Sequence, residues 1–369
     1  MMKLYILILV FLFFNYSILF ADKDLHEIVP DVTPGAISRI DTLFDQELTE
    51  ILRLTVLDRH AETIPIVDSL IKAHPDHLAP YFFKAAILQG WMATFRFSQF
   101  QNEVEENVQK VIDIGDELLK NENDPWVHFY LGGAYGYRGF ARFRKYNFIG
   151  AYKDARRGIN HFKEALKVDS TLYDVYLGLG SYFYWRTAKS KFLRIITFWI
   201  PDKRELGLNQ LEFTLKHGRY AINETIYVLL ASYYDDKKYA EALKLVNDVI
   251  ETRNYANVSD LYFKGRLLIN YQKWSEADTA FTEILKIINN HPYKSIGFQI
   301  ECKYWIAKTY SERGNIEEAL SLAKEALAQR KDRDPDLETE GHIDSFKDIE
   351  NLLEELFEDL NKKSLKGSL

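Results

Sequence analysis

The sequence predicts an all-α protein, an α-solenoid of antiparallel helix pairs that ends in a C-terminal capping helix. Its 369 residues include only 9 prolines and 18 glycines, and 47% of them are apolar, which is enough to bury a large core. A helix-turn-helix pattern recurs along residues 45–332. Recurrence of this kind is typical of an array in which each unit packs on its neighbours.

The N-terminus has the features of a secretory signal peptide over residues 1–21. Lys3 precedes an apolar run at 4–20, and Ala21 supplies a small residue before charged residues begin. The run is short for a stable membrane span, so cleavage and export to the periplasm or outside the cell is the first interpretation. An uncleaved N-terminal membrane anchor is the alternative. Residues 22–44 then form a lead-in segment.

The C-terminal half holds the clearest repeats. Each repeat has a large residue near the end of one helix, a short polar turn, an aromatic or apolar residue, and then a small alanine. Such a sequence lets two antiparallel helices approach closely. The pattern occurs at residues 233–243, 268–277 and 310–320.

The first helices of the pairs carry a matching signature. Tyr176-x-x-Leu179-Gly180-x-x-Phe183 is its fullest example, and Leu131-Gly132-x-x-Tyr135 fits in part. These motifs resemble the tetratricopeptide repeat, and the resemblance covers residues 45–332. It implies a right-handed superhelix of six recognisable helix pairs after a degenerate one, with a protein or peptide as the usual partner and no cofactor.

The repeat spacing divides the chain. Taking the small-residue position of each first helix (Ala85, Gly132, Gly180, Leu230, Gly265, Ala307), the steps are 47, 48, 50, 35 and 42 residues, against about 34 for the family. Each long step holds extra basic and aromatic sequence after its first helix, and we expect these three extensions to form one ridge. They are residues 90–97, 140–146 and 185–194. The predicted divisions are 45–222 for extended repeats, 223–332 for regular repeats, and 333–369 for an acidic linker and capping helix.

The resemblance also implies a concave groove lined by the first helices. Side chains expected to face it are mostly aromatic and suit the side chains of a bound peptide. The alternative is that several of them merely pack against the next helix. The residues are Phe82, Phe129, Tyr137, Tyr184, Trp185, Tyr227, Tyr234, Tyr262, Arg266, Tyr304 and Lys308.

Charge is distributed unevenly. Residues 138–219 hold 17 lysines and arginines against 7 acids, a net charge of +10, so the rest of the −7 chain carries −17. Anionic lipid, an acidic glycan or an acidic protein face would suit this surface, whereas the spacing matches no nucleic-acid module. The predicted basic ridge consists of Arg138, Arg142, Arg144, Lys145, Arg186, Lys189, Lys191 and Arg194.

No motif predicts catalysis. His74 and His77 flank a proline at a repeat boundary, where a helix stop explains them better than a metal does. The glycines of Gly178-x-Gly180 lie inside a helix and do not fit a phosphate-binding loop. Cys302 is the only cysteine, which excludes an internal disulfide. The sequence therefore predicts a non-catalytic interaction scaffold of the cell envelope, or alternatively a peripheral protein that binds anionic lipid or glycan at the envelope surface.

Overall fold

A computed structural model describes residues 28–188, 201–341 and 343–367. Within these ranges the chain is mainly helical, with a non-helical segment at 28–44, connecting turns and loops, and one isolated antiparallel bridge between Phe97 and Glu338. The predicted signal peptide lies outside the described residues, as do Lys189, Lys191 and Arg194.

The helices follow one another as the repeat pattern predicts. They are α1 (Asp45–Val56), α2 (His60–Ala73), α3 (Leu78–Phe95), α4 (Gln101–Leu118), α5 (Pro125–Arg144), α6 (Phe148–Val168), α7 (Val175–Ala188), α8 (Arg204–His217), α9 (Ile222–Asp235), α10 (Tyr239–Arg253), α11 (Val258–Asn270), α12 (Trp274–Asn290), α13 (Ile296–Glu312), α14 (Ile316–Gln329) and α15 (Phe346–Gly367). The all-α class, its helix pairs and the terminal helix are confirmed.

The chain divides into two compact units, and each combines two stretches of sequence. Among the described residues, unit 1 contains 28–42, 108–188 and 201–225, and unit 2 contains 43–107, 226–341 and 343–367. In an open array, each repeat contacts only its sequence neighbours. Unit 2 departs from this rule, because its first helices contact its C-terminal repeats.

Unit 1 is held together by helices that approach closely at glycines. A β-carbon at Gly178 would lie 2.1 Å from the ring of Phe162, and one at Gly132 would lie 2.5 Å from the same ring. Gly180 of α7 and Gly207 of α8 bring two backbones together, since a β-carbon on Gly207 would lie 2.7 Å from the Gly180 carbonyl oxygen. These glycines therefore serve helix packing, as their position inside helices predicts.

The lead-in segment crosses the turns between helix pairs of unit 1 in an extended course. The Ser38 amide donates to the His217 carbonyl at 2.7 Å, and the Arg39 amide donates to the Thr171 carbonyl at 3.0 Å. Asp41 accepts a hydrogen bond from the Tyr130 hydroxyl at 2.5 Å. Backbone groups of this segment are thus paired with unit 1 and do not depend on a strand or helix of their own.

Unit 2 buries small residues between its C-terminal helices. Ala277 and Ala280 of α12 and Ala319 of α14 are buried where neighbouring helices meet. The last helix, α15, packs on α13 and α14 through a buried apolar stripe. It covers the end of the repeats in the way that a capping helix does. The stripe is Ile349, Leu353, Leu356 and Leu360.

We expect Gly207→Ala to lower the free energy of unfolding by about 1–3 kcal/mol, because the added methyl group meets backbone atoms that have no room to yield. The distance from that β-carbon to the Tyr184 amide nitrogen would be 2.6 Å. Gly136→Ala in α5 is the matched control, since nothing lies within 4 Å of its β-carbon. The control should stabilise by about 0.5–1 kcal/mol. Urea unfolding of both variants measures the difference, and equal midpoints would contradict the packing role.

Candidate functional site

The predicted groove residues of unit 2 lie in the protein interior. Tyr262 is 2% exposed, and Arg266 and Tyr304 are each 4% exposed. An open groove would require these side chains to face solvent, so the expectation of exposure is corrected here in favour of the packing alternative. The reason is that other parts of the same unit cover the α11 and α13 faces.

A buried carboxylate, Glu301 of α13, lies at the centre of this region. It forms an ion pair with Arg96 and accepts a hydrogen bond from the Tyr262 hydroxyl at 2.9 Å. The Trp305 indole nitrogen donates to it at 3.3 Å, and Arg266 Nη1 lies 3.6 Å from its Oε1 atom. Burial alone would raise the pKa of Glu301, but the two arginines and these hydrogen bonds outweigh burial and hold its pKa below the ordinary value.

Arg96 reaches Glu301 from the turn between α3 and α4. Its backbone is in the left-handed region (φ 58°), which ends α3 and turns the chain toward α13. The guanidinium lies 3.9 Å from the ring centroid of Phe298 and 4.7 Å from that of Tyr262. Its carbonyl oxygen accepts a hydrogen bond from the Thr339 amide at 3.1 Å. This turn therefore covers Tyr262, one of the predicted groove residues.

Arg266 of α11 completes the buried network. Its Nη1 atom lies 2.7 Å from Asp344, and its guanidinium is 4.3 Å from the ring centroid of Trp305. The hydroxyl of Tyr234 accepts a hydrogen bond from Arg266 Nη2 at 3.3 Å. The charges of the two buried arginines are therefore balanced by two acids, the buried Glu301 and the partly exposed Asp344, as buried ion pairs require.

The sequence analysis missed Arg96 and Glu301. Glu301 lies between Ile300 and Cys302, and all three side chains are buried. A charged residue within such an apolar stretch was the signal available, because acids are rarely buried unless they are paired. The partner was not predictable, since Arg96 is 205 residues away in the chain.

The first of the three predicted extensions is buried in unit 2. The Trp91 indole nitrogen donates to His291 Nε2 at 3.0 Å, and the ring of Phe95 stacks on His291 at 3.8 Å. The ring of Phe97 stacks on Tyr293 at 4.7 Å. This extension therefore forms part of the core, which corrects the expectation that it contributes to an exposed ridge.

The remaining predicted groove residues have mixed surroundings. In unit 1, Tyr184 is fully buried, and the half-buried Phe129 packs against Trp126 at 5.5 Å. In unit 2, the Tyr227 hydroxyl accepts a hydrogen bond from Asn257 at 2.6 Å. Burial raises the pKa of Tyr227. Four further side chains are also half-buried, namely Phe82, Tyr137, Trp185 and Lys308.

The second predicted extension, residues 140–146, belongs to an exposed surface of unit 1, which we call the α5–α6 tip and define as residues 140–149. It contains large apolar side chains exposed to solvent at the turn between two long helices. Tyr146 at the turn itself is 82% exposed and has a left-handed backbone (φ 58°). The exposed fractions of the others are 52% for Phe140, 49% for Phe143, 43% for Phe148 and 48% for Ile149.

The tip is strongly basic. Residues 138–157 hold seven lysines and arginines but a single acid, Asp154. Asp154 is fully buried and forms ion pairs with Arg138, at 2.9 Å, and with Arg142, at 2.7 Å. Arg144 and Lys145, at the end of α5, are exposed. The buried acid therefore fixes the base of the tip, and the outward charge is positive.

The third extension is described only in part. Arg186 lies 5.3 Å from the ring centroid of Phe183 and 5.6 Å from that of Tyr182, and its Nη2 atom donates to the Pro201 carbonyl at 3.4 Å. This residue of the predicted ridge is thus half-buried against its own helix. Its extension continues into residues outside the described ranges.

His74 and His77, which the sequence analysis attributed to a helix stop rather than to a metal site, have structural roles in unit 2. His77 caps α3 by accepting a hydrogen bond from the Ala79 amide at 3.2 Å, and His74 packs edge-on against Phe44 at 5.4 Å. In the described ranges, no group of three or more His, Cys, Asp or Glu side chains is placed to hold a metal ion. Over the same residues, no helix combines the length and apolar character needed to cross a membrane.

Glu301→Gln should lower the free energy of unfolding by about 3–5 kcal/mol, because two buried arginines would lose their shared carboxylate. The side chain keeps its shape, so the loss reports charge rather than volume. Glu312→Gln is the matched control, since Glu312 forms a more exposed pair with Lys308 at 2.6 Å on the same helix. It should cost about 0.5 kcal/mol or less. Urea unfolding distinguishes the two, and a small effect at Glu301 would argue against the network.

A pair of histidines that joins the start of α5 to α6 predicts a pH dependence of stability. His128 Nε2 donates to Asn123 at 2.8 Å, so its Nδ1 accepts a hydrogen bond from His161 Nδ1 at 3.0 Å, and both rings are neutral. Burial and the neighbouring His128 lower the pKa of His161 to about 4. The unfolded chain therefore binds more protons than the folded chain between this value and about 6.5.

Stability should accordingly be complete above about pH 6.5 and fall as the pH approaches 4, with a loss of about 1–2 kcal/mol attributable to His161. Urea unfolding at several pH values measures this slope. His161→Gln should flatten it, because glutamine does not titrate. Parallel slopes in the wild type and the variant would show that this pair does not set the dependence.

No protein-family model matches the chain, and no curated protein matches it. Similar solved structures include YrrB, described as a TPR protein with an unusual peptide-binding site, at 16% identity and a TM-score of 0.38, covering 59% of this chain and 92% of that one. The C-terminal part of a TPR repeat-containing protein from Cytophaga hutchinsonii is 16% identical, with a TM-score of 0.37. The match covers 78% of this chain and 95% of that one. Yeast Tom70 is 14% identical, with a TM-score of 0.40, and the match covers 92% of this chain and 68% of that one.

Likenesses of this degree carry no inference about function. The architecture is visible in the chain itself, where glycines and alanines lie at the contacts between successive antiparallel helices. By these helix pairs and their motifs, the chain has an all-α repeat fold, and its motifs resemble the tetratricopeptide repeat.

Proposed function

We propose that the protein is a non-catalytic interaction scaffold of the cell envelope and that it holds its partner at the α5–α6 tip. The observation that carries this proposal is the cluster of five exposed large apolar side chains within residues 140–149. Exposed apolar patches on folded proteins mark interaction sites, because burying them in a complex releases water.

The tip supports partner binding better than the predicted groove does. Tyr262, Arg266 and Tyr304 already have partners inside unit 2 and offer no free surface. A partner would have to displace a buried ion pair to reach them, at a large desolvation cost. At the tip, by contrast, the 82% exposed side chain of Tyr146 is available without rearrangement.

A scaffold role agrees with the chemistry of the buried ionisable groups. Glu301, Asp154 and Asp260 are each paired with arginine inside helix packing. Such pairs hold neighbouring helices together, which is a structural role. Export of the scaffold to the envelope is supported by the apolar N-terminal run at residues 4–20.

Site-specific photocrosslinking in the native host tests the proposal. A photoreactive amino acid at position 143 or 146 should give covalent products with protein or lipid, because these side chains face the partner. The same residue at Tyr271, which is 44% exposed in unit 2, serves as the control position. Products at 143 and 146 that are absent at 271 support the tip. Failure of both tip positions, or equal products at all three, would refute it.

A further inference from the structure

We infer that the partner of the α5–α6 tip is an anionic membrane surface, into which the tip inserts its aromatic side chains while its basic residues contact lipid headgroups. This inference rests on the proposed function, since it names the partner of the same surface. It concerns a peripheral contact by residues 140–149 and is independent of how the N-terminus is processed.

The apolar part of the argument is the density and type of the exposed side chains. Among the described residues, 15 large apolar side chains are exposed, and five of them fall within this ten-residue tip. Four of the five are aromatic, and Phe143 and Phe148 contact each other edge to face at 5.5 Å. Phenylalanine rings bury apolar surface in the membrane interface, and tyrosine adds a hydroxyl that remains in contact with water.

The charge of the tip selects an anionic surface. Asp154, the one acid of residues 138–157, lies in the interior with Arg138 and Arg142. No carboxylate of this stretch therefore faces outward beside Arg144 and Lys145. Each lysine or arginine near an anionic leaflet strengthens binding by about fivefold at moderate ionic strength. A neutral bilayer could accommodate the aromatic rings, but it has no net negative charge to attract the basic residues.

The position of the patch favours a bilayer over a protein. The side chains lie at the end of a helix pair, and Tyr146, at the turn, is the most exposed of them. A protein partner needs a pocket complementary to each ring, whereas a bilayer accepts protruding rings without a matching shape. The ion pairs of Asp154 also tie α5 to α6, so the tip is held in place before it meets the surface.

A fluorescent probe at the tip tests the inference directly in the full chain. Tyr146→Cys provides one exposed thiol, because the only native cysteine, Cys302, is buried. A polarity-sensitive dye on this thiol is titrated with vesicles of phosphatidylcholine containing about 30% phosphatidylglycerol, and with vesicles of phosphatidylcholine alone. The emission should shift to the blue on the anionic vesicles. The same dye at Tyr271→Cys should not shift, which controls for attachment of the chain by any other segment.

The charge requirement is tested in the same assay. Arg144→Glu with Lys145→Glu should weaken the vesicle response at position 146 by about tenfold or more, and about 0.5 M NaCl should weaken it similarly. Lys324→Glu, an exposed change on α14, should leave it unaltered. Circular dichroism of each variant verifies that the helices are intact.

Three outcomes would overturn the inference: no shift at position 146, an equal shift on neutral vesicles, or an equal shift at position 271. If photocrosslinking at the tip then yields a protein product while the vesicle response is absent, the membrane inference fails and the scaffold proposal stands. If both assays are negative at the tip, both proposals fail.

Discussion

The fold of unit 2 depends on a buried carboxylate, Glu301, shared by two arginines. Removing Glu301, Arg96 and Arg266 from water is costly, and the cost is offset only if all three remain together with their hydrogen bonds. Arg96 comes from the turn after α3, and Arg266 comes from α11. The network therefore ties the first helices of the unit to its C-terminal repeats. A repeat array that would otherwise contact only its neighbours acquires a long-range constraint.

This constraint explains why two similar sequence extensions lie in opposite environments. Residues 90–97 and residues 140–146 both follow a first helix and both combine aromatic with basic side chains. In unit 2 the arginine of the extension meets Glu301, and the aromatic residues stack on His291 and Tyr293. In unit 1 the acid available to the extension, Asp154, lies at its base and binds the arginines there. The aromatic end is left in solvent.

The same contrast separates stability from binding in this protein. Aromatic and charged residues that satisfy each other in the interior hold the helices and are unavailable to a partner. At the α5–α6 tip the apolar groups have solvent where unit 2 has histidine and tyrosine rings, and the positive charge faces outward. A surface of this composition gains free energy on contact with an apolar, anionic partner. In the interior of unit 2, side chains of the same types are covered by the protein itself and stabilise the fold.

The sequence by itself determined the helix pairs, their turns, the long spacing of the early repeats, the capping helix and the basic character of residues 138–219. Helical periodicity and the small residues between helices act over a few turns, so a local pattern is sufficient for them. Only the tertiary structure decided that the aromatic residues predicted for the groove are covered, with Tyr262 and Arg266 in an ion-pair network, and that Phe143 and Tyr146 are exposed. The physical reason is that exposure depends on which distant segment covers a face. The pairing of Arg96 with Glu301 across 205 residues leaves no periodic trace in either segment.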